Sequence, residues 1–212
     1  MRVPRCQEAR LHAKKKSLVA AERERPAVQT RRAEFIAELK TIDAARLVFL
    51  DESGSHIGMA RTHGRSRCGQ RLHHAVPRNR GTVLTMIGAI SLDGIETMMT
   101  NIGGTNAAVF RRFVDDHLVP VLREGDVVVM DNLGAHHATG IRAAIEVSGA
   151  RVIYQPPYSP DLNPIEPCWS KVKSILRQIG ARTVKTLTAA VHRAAKLVTA
   201  DDADGWFDHC GY

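Results

Sequence analysis

The chain has 212 residues, of which 44% are hydrophobic and 5% aromatic, and its net charge is +8, as expected for one substantial globular domain with an appendage. No stretch approaches the roughly 18 apolar residues of a membrane helix, and charges occupy the N-terminus where a secretory signal would be apolar. The four cysteines, Cys6, Cys68, Cys168 and Cys210, form no CxxC pair, which disfavours a disulfide framework and favours a reducing cytoplasm.

The positive charge is concentrated at the start of the chain. Residues 1–40 hold 11 lysines and arginines against 5 acidic residues, a net of +6, whereas the other 172 residues hold 19 against 17, a net of +2. We expect residues 1–13 to be a disordered leader and residues 14–43 a basic linker helix, interrupted at Pro26. Such a segment suits a phosphate-backbone partner, although a solvated charged helix that binds nothing is the alternative.

The remaining residues, 44–212, alternate between strand and helix signals. Apolar, β-branched runs predict strands, and spacings of three and four between apolar residues predict helices. The predicted strands are Arg46–Asp51, Thr82–Ile95 (with a turn at Asp93-Gly94 and a further strand to Asn101), Asp126–Asp131 and Arg151–Gln155. The predicted helices are Thr105–Leu122, Ala138–Ser148, Ile165–Ile179 and Val184–Thr199, followed by a short amphipathic tail; residues 55–80 are expected to form an irregular strand and a loop.

This order predicts an α/β fold with a mixed five-stranded sheet. The first three strands can pair antiparallel, whereas the last two each follow a helix and must lie parallel after a crossover. The runs "VFLD" and "VVVM" show no alternation of apolar and polar residues, which is typical of central strands covered on both faces. Helices are therefore expected on both faces of the sheet.

Three carboxylates stand at the ends of predicted elements. Asp51 ends the first strand, Asp131 ends the fourth, and Glu166 lies where a proline-rich loop enters a helix. If the first and fourth strands are neighbours, their ends lie about 4.8 Å apart. Crowded carboxylates repel unless cations intervene, and oxygen ligands select Mg²⁺ or Mn²⁺. Two such ions about 4 Å apart would hold the attacking and leaving oxygens of a phosphodiester.

Each carboxylate also has an explanation that involves no chemistry. Asp131 could belong to a simple turn with the Asn and Gly that follow it. Glu166 comes three residues after Asn163 and could complete a helix capping box. Asp51 could pair with a nearby arginine. Glu52 competes with Asp51 for the catalytic role, but the pleat should send its side chain to the opposite face.

Several basic residues are candidates for contacts with DNA phosphates, without base specificity. A solvated loop is the alternative for the arginines, and His136 and His137 could be ordinary loop residues or could orient a phosphate or a carboxylate. The candidates are Lys14, Lys15, Lys16, Arg61, Arg65, Arg67, Arg71, Arg78, Arg80, His136, His137, Lys171 and Lys173.

Three blocks of the sequence, "LDESG", "VVVMDNLGAHH" and "YQPPYSPDLNPIEPCWSKVK", resemble the DDE transposases of the mariner superfamily, in its bacterial insertion-sequence branch. In this chain 34 residues lie between Asp131 and Glu166, the separation typical of the members with an aspartate–aspartate–glutamate triad. The resemblance runs from about Lys14 to Tyr212 and leaves out the leader. It implies that Asp51, Asp131 and Glu166 are the catalytic, metal-binding triad, and that the fold is ribonuclease H-like.

The resemblance also implies a function and partners. The enzyme would cut phosphodiester bonds at element ends with Mg²⁺ or Mn²⁺, and the freed 3′-OH would then attack target DNA. The partners would be double-stranded DNA and a second copy of the chain, because two DNA ends must be joined, and the cell location would be the cytoplasm at the nucleoid. The family usually begins with a helix-turn-helix region that we do not expect in these 212 residues, so a separately encoded helix-turn-helix product could be a further partner.

Three rival interpretations are left open by the residues. A ribonuclease H-type nuclease could use the same fold and the same carboxylates. A truncated, non-catalytic fragment could act as a DNA-binding or dimerising partner of an intact transposase. A zinc protein could use Cys68, His73 and His74, although no second ligand pair has suitable spacing.

Overall fold

The computed structural model describes residues 20–79 and 81–212. The strands in this part of the chain are β1 Leu47–Ser55, β2 Leu84–Ser91, β3 Gly94–Ile102, β4 Val127–Met130 and β5 Arg151–Tyr154. Its α-helices are α1 Pro26–Leu39, α2 Ala107–Phe113, α3 Ile141–Val147, α4 Ile165–Ile179, α5 Val184–Ala195 and α6 Ala200–Cys210. The predicted leader, together with Lys14, Lys15, Lys16 and Arg80, lies outside the described residues.

The five strands form one mixed sheet in the order β3-β2-β1-β4-β5. Strands β1, β2 and β3 pair antiparallel, whereas β1 with β4 and β4 with β5 pair parallel. This arrangement confirms the predicted mixed sheet, and it makes the first and fourth strands neighbours, the condition under which Asp51 and Asp131 were expected to lie close together. As a result, the carboxyl end of β4 lies beside the middle of β1, which continues beyond it to Ser55.

A separate apolar core covers each face of the sheet. Phe49 and Val129 belong to the core formed with α1, α4, α5 and α6, whereas Val48 and Val128 belong to the core formed with α2 and α3. Each large apolar side chain that is fully buried contributes roughly 1.5–3 kcal/mol relative to its exposed state. Burial on both faces explains why neither strand alternates between apolar and polar residues, and it makes the end of each strand a rigid position.

Two of the predicted helices differ in detail from the structure. The helix expected over Thr105–Leu122 consists of α2, a five-residue π-helical segment Val114–Leu118 and a 3₁₀ turn, Val119–Val121. Pro120 in that turn has no N–H to continue an α-helix. The predicted tail is the helix α6, whose first turn is capped by the Thr199 side chain.

Helix α1, which falls within the predicted basic linker helix, packs against the domain. Phe35 and Leu39 are buried in the core on the α4 side of the sheet. Arg32 is also buried and donates through both guanidinium nitrogens to the Asp161 carboxylate, at 3.1 and 2.8 Å, while Arg23 donates to the same carboxylate at 2.9 Å. Although partial burial raises the pKa of Asp161, the Arg32 and Arg23 guanidinium groups outweigh it and hold this pKa below its usual value. The boundaries of residues 14–43 stay a prediction.

Residues 56–79, which we call the arginine segment, connect β1 to β2 without helix or strand. The start of the segment is attached to the domain by Arg182, which donates to the carbonyl oxygens of Ile57 and Met59 at 3.0 and 2.9 Å. Strand β1 itself extends to Ser55, four residues beyond the prediction. Across the described ranges, no helix combines the length and the apolar character needed to span a membrane.

Candidate active site

The side chains of Asp51 and Asp131 come from neighbouring strands at the same level of the sheet. Phe49 pairs with Val129 in the parallel ladder, and continuing this register by two residues pairs Asp51 with Asp131. Both aspartates point to the face that carries Phe49 and Val129, because side chains two apart in a strand share a face. The same face carries helix α4.

Glu166 reaches this edge from the first turn of α4. The capping-box explanation for Glu166 is not supported, because the Asn163 N–H donates to the Pro160 carbonyl at 3.2 Å and not to the glutamate. The Asn163 side chain instead accepts from the Ile165 N–H at 3.3 Å. The Glu166 carboxylate therefore has no capping role and stays exposed.

The three carboxylates line one open cavity of about 290 Å³. Its other walls come from the loop after β4 and from the proline-rich loop between β5 and α4, including Tyr158. The backbone of Tyr158 has a φ of 58°, and its side chain is 47% exposed. No lysine, arginine or histidine is among the described residues that line the cavity. Its acidic groups therefore face each other without a cationic side chain between them.

Asp51 is the most perturbed of the three groups. Burial, followed by the negative charge of Glu166, raises the pKa of Asp51 from 3.8 to about 7, and Glu52 and Asp131 add to the effect. The Trp169 indole donates to Oδ2 of Asp51 at 3.2 Å. A negative charge that is costly to form at this position is one that a bound cation would stabilise.

Trp169 fits beside Asp51 because Gly88 leaves room for it. Gly88 is the partner of Asp51 in the antiparallel ladder between β1 and β2. A Cβ atom at this position would lie 2.8 Å from Cη2 of Trp169, closer than real contacts allow. The glycine thus leaves room for the indole to reach the Asp51 carboxylate.

Asp131 is held by the short turn that follows β4. The Leu133 N–H donates to its Oδ1 atom at 3.1 Å, so the predicted turn is present at this position. Nδ1 of His136 also lies 2.6 Å from Oδ1 of Asp131, and Nε2 of His136 lies 3.1 Å from Oε1 of Glu52. Burial would lower the pKa of His136, but the hydrogen bonds to Asp131 and Glu52 outweigh it and raise this pKa to about 10.

The position of Glu52 agrees with the expectation from the pleat. Its side chain leaves β1 on the face opposite to Asp51, where it contacts His136, and it does not line the cavity. His136 is neither an ordinary loop residue nor a DNA contact in this conformation, because its side chain is fully buried. The exposed His137 instead hydrogen-bonds Asn132 and stacks on Tyr154, with ring centroids 4.2 Å apart.

Within residues 20–79 and 81–212, no group of three or more histidine, cysteine, aspartate or glutamate side chains is placed to hold a metal ion. This finding leaves the zinc interpretation based on Cys68, His73 and His74 without structural support. It also means that Asp51, Asp131 and Glu166 line one cavity without forming a closed metal site. Their all-oxygen chemistry nevertheless suits a hard divalent cation.

The predicted basic contacts fall into two groups. The arginines of the arginine segment are exposed, and Arg61 lines a groove of about 760 Å³ together with Arg177 and Arg182. Lys171 is committed to an ion pair with Asp202 instead, which weakens its case as a DNA contact. Lys173 on α4 is half-buried. The described members of the exposed group are Arg61, Arg65, Arg67, Arg71 and Arg78.

Trp169 is a site residue that the sequence did not single out, and the contact between Glu52 and His136, both named in the sequence analysis, was not predicted. Trp169 lies one helical turn after Glu166, and a buried indole N–H usually needs an acceptor, so its position was a usable signal. The contact between Glu52 and His136 joins residues 84 apart in the chain, and no local pattern predicts it.

The mixed sheet, with one acid within β1, a second directly after the adjacent parallel strand β4 and a third on a flanking helix, is the ribonuclease H-like fold. A family model described as DDE superfamily endonuclease matches residues 46–188, more than half of the chain. The chain belongs to this family. No protein of curated function matches the sequence.

Solved structures of the Mos1 transposase are similar to this chain. The Mos1 paired-end complex with left transposon end has a TM-score of 0.72 and 16% identity, and the match covers 95% of this chain and 63% of that one. The Mos1 mariner paired end complex with Mn has a TM-score of 0.70 at 15% identity, over 96% and 65% of the two chains. The catalytic domain of Mos1 mariner transposase has a TM-score of 0.63 at 14% identity, over 90% and 88%. At these identities the matches establish the fold, and this chain spans under two thirds of the Mos1 chains in the paired-end complexes.

Proposed function

We propose that this chain is the catalytic core of a transposase of the mariner superfamily, in its bacterial insertion-sequence branch. Its reaction would be cleavage of phosphodiester bonds at element ends, followed by transfer of the 3′-OH strand into target DNA. The observation that carries the proposal is the common register of Asp51 and Asp131 on adjacent parallel strands, facing Glu166 across a cavity without cationic side chains.

Asp51, Asp131 and Glu166 would together hold Mg²⁺ or Mn²⁺, as two ions. When bound, such ions supply Lewis-acid stabilisation of charge on the oxygens of the phosphodiester. The chain's own part is placement, since the sheet fixes both aspartates and Trp169 holds one oxygen of Asp51. Because its pKa is raised to about 7, the Asp51 carboxyl retains a proton for part of the time at neutral pH until a cation replaces it.

Double-stranded DNA would be both the substrate and the target. The exposed arginines from Arg61 to Arg78 lie on an irregular surface segment suited to phosphates, and they would bind without reading bases. The similar Mos1 structures include paired-end complexes, which supports a homodimer here, and a separate helix-turn-helix product would supply end recognition. Such a protein would act in the cytoplasm at the nucleoid.

The experiment is a cleavage and joining assay with supercoiled plasmid and a 3′-OH oligonucleotide, in Mg²⁺ or Mn²⁺ and with EDTA as control. We expect metal-dependent nicking and joined products, and a loss of at least about 100-fold in rate for Asp131→Asn. Cutting without joining would indicate a ribonuclease H-type nuclease. DNA binding and dimerisation with no cleavage in either metal would indicate a non-catalytic partner.

A further inference from the structure

His136 is a histidine that the proposed chemistry does not use, yet it is fully buried beside the cavity. Its ring lies 4.2 Å from the ring of Phe110, on the sheet face opposite to Trp169. Neither His136 nor Glu52 lines the cavity that the three carboxylates share. The histidine therefore acts from behind the strand ends and does not touch the substrate.

Both ring nitrogens of His136 face carboxylates. Nδ1 lies 2.6 Å from Oδ1 of Asp131 and 3.1 Å from its carbonyl oxygen, and Nε2 lies 3.1 Å from Oε1 of Glu52. Because carboxylate and carbonyl oxygens accept hydrogen bonds, the ring joins the two acidic residues through its two nitrogens. The arrangement is a bridge from β1 to the turn after β4.

The bridge determines which oxygen of Asp131 is free. Oδ1 accepts from the Leu133 N–H and lies 2.6 Å from Nδ1 of His136, whereas Oδ2 has no hydrogen-bond partner among the described residues. Fixing one oxygen stops rotation of the carboxylate and leaves the other to face a ligand. This is the general task of the outer partners of a metal-binding group.

Glu52 connects this bridge to the other aspartate. It follows Asp51 directly in β1, and its side chain leaves the strand on the opposite face. A shift of β1 relative to β4 would therefore stretch the contact between Glu52 and His136 while it separated Asp51 from Asp131. The bridge thus resists the movement that would open the site.

We propose that His136, held by Glu52, is a positioning residue that fixes the Asp131 carboxylate in its metal-binding orientation. This inference rests on the proposed function, because it concerns the orientation of a proposed metal ligand. It assigns a purpose to Glu52 other than substitution for Asp51. It also predicts that removing the Nδ1 donor and removing the Nε2 donor have different effects.

The test compares His136→Gln with His136→Asn in the 212-residue protein. Glutamine places its amide near the Nε2 position and keeps only the contact with Glu52, whereas asparagine places its amide near Nδ1 and keeps the contact with Asp131. The first readout is the dissociation constant for Mn²⁺ without DNA, measured by electron paramagnetic resonance. The second is the split between kcat and KM in plasmid cleavage.

We expect His136→Gln to weaken Mn²⁺ binding and to lower kcat by about 10- to 100-fold, with KM for DNA unchanged. His136→Asn should recover most of the Mn²⁺ affinity. Glu52→Gln, which leaves the histidine in place, should give an intermediate loss. His117→Asn is the matched control, because His117 stacks on Phe113 in the same layer without contacting Asp131, and it should bind Mn²⁺ as the wild type does.

Two results would overturn the inference while the proposed function stands. One is wild-type Mn²⁺ affinity and kcat in all His136 and Glu52 variants. The other is an equal loss in the Gln and Asn variants that follows their loss of unfolding free energy, since this would make His136 a purely structural residue. A wild-type protein that neither binds Mn²⁺ nor cleaves DNA would instead overturn the proposed function, and the inference with it.

Discussion

The acidic cavity and the arginine segment differ in how their charged side chains are held. At the cavity, Asp51 and Asp131 each have a buried partner that holds one oxygen, Trp169 and His136 respectively. The five described arginine candidates of the segment are exposed, and none of them forms an ion pair with a described residue. The cavity uses its buried groups for orientation, whereas the segment only brings charge to the surface.

This difference follows from the two kinds of ligand that we propose. A small divalent ion requires ligand oxygens within a fraction of an ångström, so its ligands must stand on rigid elements. A DNA backbone offers a row of equivalent phosphates, and long side chains on an irregular segment can adapt to it. Substitutions in the two regions should therefore have different signatures, and the following predictions test this contrast.

The largest expected effect is a stabilisation by Asp51→Asn in the absence of divalent ions. The pKa of Asp51 is about 7 in the folded protein against 3.8 ordinarily, so the folded state retains the proton and loses stability as pH rises from about 4 to 7. Asparagine carries no such penalty, and it should raise the free energy of unfolding at pH 8 by roughly 4 kcal/mol and at pH 4 by almost nothing.

Urea unfolding in EDTA at several pH values measures this effect. Asp204→Asn, at an exposed position on α6, is the control and should show no such pH dependence. If the difference in unfolding free energy between Asp51→Asn and wild type stayed constant from pH 4 to pH 8, it would contradict the cost of ionising Asp51 that we ascribe to its burial and to Glu166.

The next effect is a loss of stability and activity in Gly88→Ala. The added Cβ would lie 2.8 Å from the buried Trp169 ring, and overpacking of this kind costs about 1–3 kcal/mol. Because the ring must move, its hydrogen bond to Asp51 should weaken, and the rate of cleavage should fall with a change in tryptophan fluorescence.

Gly54→Ala in β1 is the matched control, since its Cβ would meet Cγ1 of Val83 at an ordinary 3.4 Å. It should leave both fluorescence and cleavage unchanged. Full cleavage activity in a folded Gly88→Ala protein would show that Trp169 has no influence on Asp51.

The smallest effect is expected in the arginine segment. Replacing Arg65 and Arg67 by glutamine should lower affinity for DNA of any sequence by about tenfold, and reduce the slope of log K against log salt by about 0.9 for each phosphate that the protein no longer neutralises. The free energy of unfolding should change by less than about 0.5 kcal/mol, because neither side chain is packed.

A charge-matched control uses Arg111 on α2 and Arg142 on α3. Both are exposed, and each pairs with an acidic residue one helical turn further along the chain. Their replacement by glutamine should leave the salt slope unchanged. Equal weakening by both double variants would reduce the role of the segment to general net charge.

The sequence predicted the mixed five-stranded sheet because its strands carry local signals, and it singled out three carboxylates that the structure places around one cavity. Continuous β-branched runs mark buried strands, and the acids follow them directly. The bounds of α4, Ile165–Ile179, were predicted correctly, since a proline-rich loop precedes the helix and Gly180 ends it in a left-handed conformation.

What escaped prediction depends on contacts between distant residues. The burial of His136 requires Glu52 from another strand, and the packing of α1 requires an ion pair between Arg32 and Asp161. Neither partner lies within a window that a periodicity covers. The helix α6 is different, because Thr199 with Asp202 forms a capping box that was visible in the sequence and was missed.

The ion pair of Arg32 with Asp161 has a mechanical consequence. Asp161 lies in the short turn Pro160–Leu162, only a few residues before Glu166, and Arg23 grips the same carboxylate. The segment by which the chain enters the domain is thereby held to the loop that leads into α4, the helix that carries Glu166. A displacement of α1 would therefore also displace that loop, which forms one wall of the acidic cavity.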